Sequence, residues 1–362
     1  MQDRSVAVVL GTRPELVKLA PVVRSLGSSA RVLHTGQHST PQMSSRFLQP
    51  LGMPAPELLE PIAGLPRAEQ IRRATTALVR AFTVARPALV VVQGDTNSTT
   101  AGALAANALG IPLAHVEAGL RSDDRNMPEE RNRILADHLS ELCCAPTDQA
   151  ATRLKNEGIS TARVLVTGNT VVDALNSCLP TRSARKAILA SVGIASGAFI
   201  LATFHRPENV DNDDRFAELM TILATLPIPV VFPVHPRTAA RLAKLGLDST
   251  QGSLIRVDPI PYPDFLALEA ECAFVISDSG GVQEEVSVLG RPVIVVREST
   301  ERPEVIGTFA TLAQPGEIAA MANGLLKSLV RTHEQLAATP TPYGDGHSGE
   351  RIVDALAALV RS

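Results

Sequence analysis

Cysteine is scarce in this chain of 362 residues, which has four. They lie at positions 143, 144, 178 and 272, and no two of them form a C-x-x-C pair. The histidines show neither H-x-H nor H-E-x-x-H spacing. Because metal sites usually need such spacings, we expect no metal. Buried, reduced thiols are typical of cytoplasmic proteins, and we expect this location.

The sequence also lacks a long apolar run, a basic excess and two common nucleotide-binding motifs. No run approaches the roughly 18 apolar residues that cross a membrane, and the polar N-terminus does not resemble a signal peptide. The formal net charge is −3, whereas nucleic-acid binding favours a basic face. No G-x-x-x-x-G-K-[ST] loop occurs, and no G-x-G-x-x-G follows the first apolar run. We therefore expect no membrane or nucleic-acid partner, no nucleotide hydrolysis and no NAD binding.

Short apolar runs alternate with longer helix-like runs along most of the chain. Near-continuous runs of Val, Ile and Leu between helices are typical of parallel strands that are covered on both faces. The predicted strands are residues 6–10, 31–34, 88–93, 113–116, 142–145, 164–166, 199–203, 230–233, 254–257, 273–276 and 293–296.

This series of strands is long enough for two doubly wound units in tandem. We predict an α/β protein with two Rossmann-like domains that face a cleft. The N-terminal domain covers residues 1–169 and the C-terminal domain covers 170–347. The last helix, at about 348–362, follows a turn-rich stretch, and we expect it to pack back on the N-terminal domain.

Polar residues cluster where predicted strands end. The clusters are residues 11–15, 94–99, 115–121, 205–209, 235–236, 278–281 and 301–304. One such cluster is an ordinary helix cap. Because the carboxyl ends of parallel strands share one edge of a sheet, so many clusters there indicate ligand binding.

The stretch Ser279–Gly281 is the strongest candidate for a phosphate cradle. Its glycines let backbone N–H groups approach a ligand, and the positive N-terminus of the next predicted helix follows. A plain glycine-rich turn is the alternative interpretation of this stretch alone. Arg13, Lys18 and Arg302 can supply positive charge. Glu285, at least one helical turn beyond the cradle, can accept hydrogen bonds from the vicinal hydroxyls of a ribose.

Asp95, Glu117 and Glu130 form a candidate acid/base group. Asp95 and Glu117 end neighbouring predicted strands, so we expect them to converge. Carboxylates that lie close together in a dry cleft repel each other, which raises one pKa and yields an acid beside a base. Glu130 lies at a helix start, where an acidic residue can instead favour the helix N-terminus. His205 adds a group that titrates near neutrality.

These residues belong to a longer series of motifs. The series is G-T-R-P-E at 11–15, T-G-Q-H at 35–38, G-D-T at 94–96, H-V-E-A-G-L-R-S at 115–122, M-P-E-E at 127–130, N-R at 132–133, T-G-N-T at 167–170, H-R-P-E-N at 205–209, D-S-G-G-V-Q-E-E at 278–285, T-E-R-P-E at 300–304 and P-Y-G-D-G at 342–346. In this order the motifs resemble the non-hydrolysing UDP-N-acetylglucosamine 2-epimerase family over nearly the whole chain. The resemblance implies a GT-B-like fold, a homodimer and an isomerase that acts on a UDP-sugar.

The activity that the resemblance implies is reversible conversion of UDP-N-acetylglucosamine to UDP-N-acetylmannosamine. The C2 proton of the sugar is not acidic, because no carbonyl adjoins it. The family eliminates UDP across C1–C2 to give 2-acetamidoglucal, and then adds UDP back with the proton on the other face. This route needs a base, an acid and cations for the diphosphate. It needs no redox cofactor and no metal.

The resemblance also implies roles for individual residues. Catalysis is expected from Asp95, Glu117, Glu130 and His205. UDP contacts are expected from Arg13, Lys18, His235, Ile260, Phe265, Ser279, Gly280, Gly281, Glu285 and Arg302. Candidates for a second site or for the cleft are Gln37, His38 and Arg73. The segment 37–44 departs from the family type that the substrate activates, and Ile260 replaces a common glutamine, which leaves its backbone to contact uracil.

Other functions stay open on the sequence alone. A 2-epimerase of a related UDP-sugar, such as UDP-2,3-diacetamido-2,3-dideoxyglucuronate, would share these motifs. A hydrolysing 2-epimerase would release the free sugar. A GT-B glycosyltransferase would need an acceptor groove and no group of three carboxylates. The three carboxylates and His205 argue against a catalytically silent sensor of sugar nucleotides.

Overall fold

The computed structural model describes residues 5–38, 45–234, 236–247 and 252–361. The chain divides into two units, Met1–Ser177 with Tyr343–Ser362, and Cys178–Pro342. Each unit is a parallel sheet with helices between its strands, which confirms the predicted α/β fold of two Rossmann-like units. Within the described ranges, no helix combines the length and the apolar character that a membrane crossing requires.

The first unit contains a sheet with the strand order β3-β2-β1-β4-β5-β6-β7. Its strands are β1 (Val6–Leu10), β2 (Ala30–His34), β3 (Glu57–Leu58), β4 (Leu89–Gln93), β5 (Leu113–Val116), β6 (Leu142–Ala145) and β7 (Val164–Val166). Its helices are α1 (Arg13–Leu26), α2 (Ser45–Leu51), α3 (Arg67–Val84), α4 (Asn97–Leu109), α5 (Pro128–Leu139), α6 (Asp148–Asn156), α7 (Thr170–Cys178), which ends at the unit boundary, and α15 (Ser348–Arg361). Every residue of β1 and β4 is buried, as expected for central strands covered on both faces.

The second unit contains a sheet with the strand order β10-β9-β8-β11-β12-β13. Its strands are β8 (Ile200–Thr203), β9 (Val230–Pro233), β10 (Leu254–Val257), β11 (Phe274–Ser277), β12 (Val293–Val295) and β13 (Ala310–Leu312). Its helices are α8 (Arg182–Val192), α9 (Pro207–Val210), α10 (Asp213–Ala224), α11 (Pro236–Lys244), α12 (Tyr262–Glu271), α13 (Gly280–Leu289) and α14 (Ile318–Ala337). Its core includes the buried side chains of Phe216, Phe232 and Phe274.

In both sheets the strand order reverses beside the first strand of the unit. The reversal lies between β1 and β4 in the first unit, and between β8 and β11 in the second. Ligands of doubly wound sheets bind outside the carboxyl ends of the strands at such a reversal. The loops that leave these four strands carry predicted polar clusters, so each unit has a candidate site at its reversal.

The sequence pattern misses two strands, β3 and β13. They have two and three residues and lie at the edges of their sheets. Both residues of β3 are exposed. Segments this short carry no readable hydrophobic period, and their strand geometry depends on pairing with β2 and β12.

The C-terminal helix α15 packs against α1 of the first unit. The backbone N–H of Gly349, in the first turn of α15, donates to Asp173 Oδ1 at 2.8 Å. Ile352 and Leu356, one turn apart, are buried on one face of the helix. This spacing is that of an amphipathic helix whose apolar face belongs to the core of the first unit.

We predict that Ile352→Ala destabilises the first unit by about 2–5 kcal/mol, because removing buried methylene groups leaves a cavity. Val360 lies on the same helix and is 44% exposed, so Val360→Ala serves as the matched control. Urea unfolding followed by circular dichroism measures both variants. Equal stabilities of the two variants would contradict the packing of α15.

Candidate active site

Glu117 follows β5 in a backbone conformation that few non-glycine residues adopt, with a φ of 71°. Its carboxylate is buried. Lys18 Nζ donates to Glu117 Oε1 at 2.5 Å, and Gln93 Nε2 donates to Oε2. Strained backbone of this kind persists where the surrounding contacts enforce it, and it is concentrated at functional sites. The strain and the two donors mark Glu117 as a carboxylate held in one orientation.

Arg133, on α5, joins the other two predicted carboxylates. Its Nε lies 3.0 Å from Asp95 Oδ2, and its Nη1 lies 2.6 Å from Glu130 Oε2. The Arg133 and Glu130 side chains are buried, whereas the Asp95 side chain is 31% exposed. A single guanidinium thus brings two like charges to one place, and its planar fork fixes their geometry.

Glu130 contacts a loop rather than only the start of its own helix. Its Oε2 accepts from the backbone N–H and the hydroxyl of Ser122, both at 3.0 Å. Its Oε1 accepts from the backbone N–H of Asp123 at 3.0 Å. An acid at a helix start can favour the N-terminus of that helix, but these hydrogen bonds come from the loop after β5. The Glu130 side chain therefore connects this loop to α5.

Each of the three predicted carboxylates is paired with a cation. The structure pairs Glu117 with Lys18, and it pairs both Asp95 and Glu130 with Arg133. A carboxylate beside a cation is stabilised in its ionised form. The like charges therefore have cationic partners, and an acid beside a base among these three carboxylates stays a prediction.

Glu15, which the sequence analysis leaves without a role, has a raised pKa. Burial raises the pKa of its carboxyl to about 7, although hydrogen bonds from Thr96, Thr12 and Gly11 act in the opposite direction. Thr96 Oγ1 donates to Glu15 Oε1 at 2.8 Å, and Gly11 N–H donates to Oε2 at 3.0 Å. Glu15 therefore connects the loops after β1 and β4, which flank the strand-order reversal.

A pocket of about 290 Å³ opens beside Asp95 in the first unit. It is lined by Thr12, Pro14, Gln37, His38, Arg67, Asp95, Thr96, Asn97, Pro128, Glu129 and Asn132. Gln37 and His38, which we predict for a second site or the cleft, therefore both line this pocket. Among the described residues that line the pocket, Arg73 does not occur. Its guanidinium pairs with Glu69 and Glu60.

His205 follows β8 in the second unit, and its Nδ1 lies 3.0 Å from Asp278 Oδ1. Asp278 is buried and also accepts from Asn209 Nδ2 at 3.0 Å. Burial alone would raise the pKa of Asp278, but His205, Asn209 and a backbone N–H together lower it. The Asp278 carboxylate therefore orients an imidazole that is 54% exposed.

The stretch Ser279–Gly281 begins α13 at the end of β11. Ser279 is the N-cap residue, and its side chain accepts from Val282 N–H at 3.5 Å. A Cβ added to Gly280 would lie 2.6 Å from Glu301 Oε1, whereas one added to Gly281 would meet nothing nearer than 3.9 Å. Gly280 is therefore needed for packing, and Gly281 leaves room beside a helix N-terminus, as a phosphate cradle requires.

The adjacent glutamates Glu284 and Glu285 have different partners. Arg302 Nε donates to the fully buried Glu284, and Arg302 Nη1 lies 3.8 Å from Glu301 Oε1. Tyr262 Oη donates to Glu285 Oε1 at 2.8 Å. Glu284 therefore positions the predicted phosphate-binding arginine, and Glu285 is held from the start of α12.

The other residues that we predict to contact UDP include Arg13, after β1, and two residues around the start of α12. Arg13 begins α1 directly after the loop of β1. Ile260 and Phe265 are partly buried and flank the N-terminus of α12, close in sequence to Tyr262. His235 lies outside the described residues.

In the first unit, our list of catalytic and binding residues omits Gln93, Arg133 and Glu15, and in the second it omits Tyr262, Asp278 and Glu284. Gln93 is the polar last residue of an otherwise apolar strand. Arg133 follows Glu130 by three positions on a helix, a spacing that allows a salt bridge. These two signals were readable in the sequence. Glu15 belongs to the G-T-R-P-E motif but shows its role only through its contacts.

Comparisons with known proteins agree with one another. The family model described as UDP-N-acetylglucosamine 2-epimerase matches residues 24–357. UDP-N-acetylglucosamine 2-epimerase of Methanococcus maripaludis is 37% identical over 96% of this chain and 97% of its own length. UDP-2,3-diacetamido-2,3-dideoxy-D-glucuronate 2-epimerase of Pseudomonas aeruginosa is 35% identical over 98% of this chain and 99% of its own. The crystal structure of the Methanocaldococcus jannaschii UDP-GlcNAc 2-epimerase in complex with UDP-GlcNAc and UDP is similar with a TM-score of 0.85, at 37% identity, over 98% of this chain and 99% of that one.

We predict that the raised pKa of Glu15 makes the first unit less stable as the pH rises. A folded pKa of about 7, against an ordinary 4.5, means that the folded state binds the proton more tightly. This stabilisation is complete below pH 4.5 and is lost as the pH rises through 7. Between about pH 5.5 and 8.5, wild type should lose about 2 kcal/mol relative to Glu15→Gln.

Urea unfolding of both proteins at the two pH values measures this difference. Glu69→Gln is the control, because hydrogen bonds from Arg72 and Arg73 lower the pKa of Glu69 to about 2 and keep it ionised throughout this range. A stability difference between wild type and Glu15→Gln that does not change with pH would contradict the prediction.

Proposed function

The chain belongs to the UDP-N-acetylglucosamine 2-epimerase family, and we propose that it converts UDP-N-acetylglucosamine reversibly to UDP-N-acetylmannosamine. Membership confirms the resemblance that the motifs predict and makes the chain an epimerase. The observation that carries the proposed reaction is a set of three carboxylates that pair with Lys18 and Arg133. Asp95 and Glu117 follow β4 and β5, and Glu130 lies on α5.

The proposed reaction is an elimination followed by an addition. A carboxylate removes the C2 proton, the C1–O bond breaks, and the electron pair leaves with the diphosphate of UDP. The product of this step is 2-acetamidoglucal. UDP then attacks C1 again while C2 receives a proton on the opposite face. Such a sequence needs proton-transfer groups on both faces of C2, and the three carboxylates supply them.

The cations of the first unit serve two purposes in this proposal. Lys18 and Arg13 stabilise the negative charge that develops on the leaving diphosphate. Lys18 also contacts Glu117 at 2.5 Å, so the carboxylate that transfers a proton lies beside a cation that favours departure of UDP. Arg133 keeps Asp95 and Glu130 within reach of one another.

UDP recognition is assigned to the second unit. The backbone of Ser279, Gly280 and Gly281 and the charge of Arg302 would bind the phosphates, and Glu285 would accept from the ribose hydroxyls. Phe265 and the backbone of Ile260 would contact the uracil. The imidazole of His205, oriented by Asp278, would assist the diphosphate. The open space beside Gly281 supports this assignment, because a phosphate needs close approach to backbone N–H groups.

A second candidate substrate is UDP-2,3-diacetamido-2,3-dideoxyglucuronate. The Pseudomonas aeruginosa relative named for this sugar is 35% identical across nearly the whole chain, so the chain is similar to relatives named for either sugar. The two sugars differ at C3 and C6 and undergo the same change at C2. A C6 carboxylate would require an additional cation near the sugar.

Proton NMR of the protein incubated with each UDP-sugar tests the function. We expect wild type to produce UDP-N-acetylmannosamine from UDP-N-acetylglucosamine. Glu117→Gln keeps the shape of the side chain but removes its ability to transfer a proton, so the rate should fall by about 10²-fold or more. UDP binding, measured by calorimetry, should be nearly unchanged, because the proposed cradle belongs to the second unit.

Glu57→Gln is the matched control, since Glu57 lies on the edge strand β3 and pairs with Arg31. It should retain full activity. Turnover of the diacetamidoglucuronate derivative alone would select the second substrate, and release of free sugar would indicate a hydrolysing enzyme. Full activity of Glu117→Gln would contradict the role of this carboxylate.

A further inference from the structure

Glu269 is a fully buried acidic residue of α12 that has no role in the sequence motifs. Neither of its carboxyl oxygens has a protein N–H or O–H donor within hydrogen-bond distance among the described residues. The group that does face it is the carboxyl of Glu285 on α13, with which it is in hydrogen-bond contact. The two helices pack against each other in the second unit.

Two carboxyl groups in contact form a hydrogen bond only when one of them carries a proton. Burial and the negative charge of Glu285 raise the pKa of Glu269 well above its usual range. Glu285 is slightly exposed and accepts a second hydrogen bond, from Tyr262 Oη at 2.8 Å. A buried carboxylate without donors is very unfavourable, so the proton belongs on Glu269 and the negative charge on Glu285.

We propose that Glu269 is a positioning residue that acts as a neutral acid: it donates a hydrogen bond to Glu285 and, with Tyr262, orients that carboxylate toward the two ribose hydroxyls of UDP. This inference rests on the UDP site of the proposed function. Two donors on the protein side of Glu285 restrict its rotation. Because the carboxylate is already ordered, less ordering is required when the vicinal diol of a ribose binds.

Two substitutions of Glu269 distinguish a neutral hydrogen-bond donor from a negative charge. Glu269→Gln replaces the acid by an amide, which keeps an N–H donor for Glu285. Glu269→Met keeps a similar volume and removes the donor. An acid that acted through its negative charge would lose its function in both variants, whereas a neutral donor loses it only in the second.

Calorimetric titration with UDP and with 2′-deoxy-UDP tests the proposal. Glu269→Gln should bind UDP within about 2-fold of wild type, and Glu269→Met should bind it about 10-fold more weakly, the effect of one lost hydrogen bond to a charged group. The preference for UDP over 2′-deoxy-UDP should shrink in Glu269→Met only. Glu271→Gln is the control on the same helix, because Glu271 pairs with Arg185.

Equal weakening in both Glu269 variants, or an unchanged ribose preference in Glu269→Met, would overturn the proposal. A second measurement does not depend on UDP: the infrared difference spectrum of wild type minus Glu269→Gln at neutral pH should contain a protonated carboxyl band, to which Glu15, present in both proteins, does not contribute. Absence of this band would also overturn the proposal. If wild type shows the band but does not bind UDP, the proposed function is wrong, and so is the proposed contact of Glu285 with the ribose.

Discussion

A buried carboxylate must be paired with a cation, surrounded by hydrogen-bond donors or protonated, and this constraint shapes both candidate sites. In the first unit, Lys18 pairs with Glu117, and Arg133 pairs with Asp95 and Glu130. In the second unit, Arg302 pairs with Glu284, while Glu285 receives the hydroxyl of Tyr262. The acidic residues therefore have fixed orientations.

This pairing connects binding to chemistry. Two of the cations that neutralise these acids, Lys18 and Arg302, are in the proposed reaction groups that attract the diphosphate. Lys18 contacts Glu117, and Arg302 contacts Glu284 and Glu301. The strained backbone of Glu117 persists because the contacts around it enforce this conformation.

Most of the fold could be predicted from the sequence, because short apolar runs alternate with longer helix-like runs. The edge strands Glu57–Leu58 and Ala310–Leu312 could not, since their geometry depends on pairing with neighbours. The motifs contain the acidic residues of the site and the cations Arg133 and Arg302, but they do not say which acid each cation pairs with. Contacts such as Arg133 with Asp95, which are 38 positions apart, and the proton on Glu269 depend on three-dimensional packing.

The central claim is that carboxylates exchange a proton at C2 of a UDP-sugar, with removal on one face and return on the other. Incubation of wild type with UDP-N-acetylglucosamine in heavy water, followed by proton NMR of the C2 position, tests it most directly. Because different groups act on the two faces, the abstracted proton cannot simply be handed back. The account predicts that UDP-N-acetylmannosamine carries deuterium at C2; a product that retains the original C2 proton would contradict it.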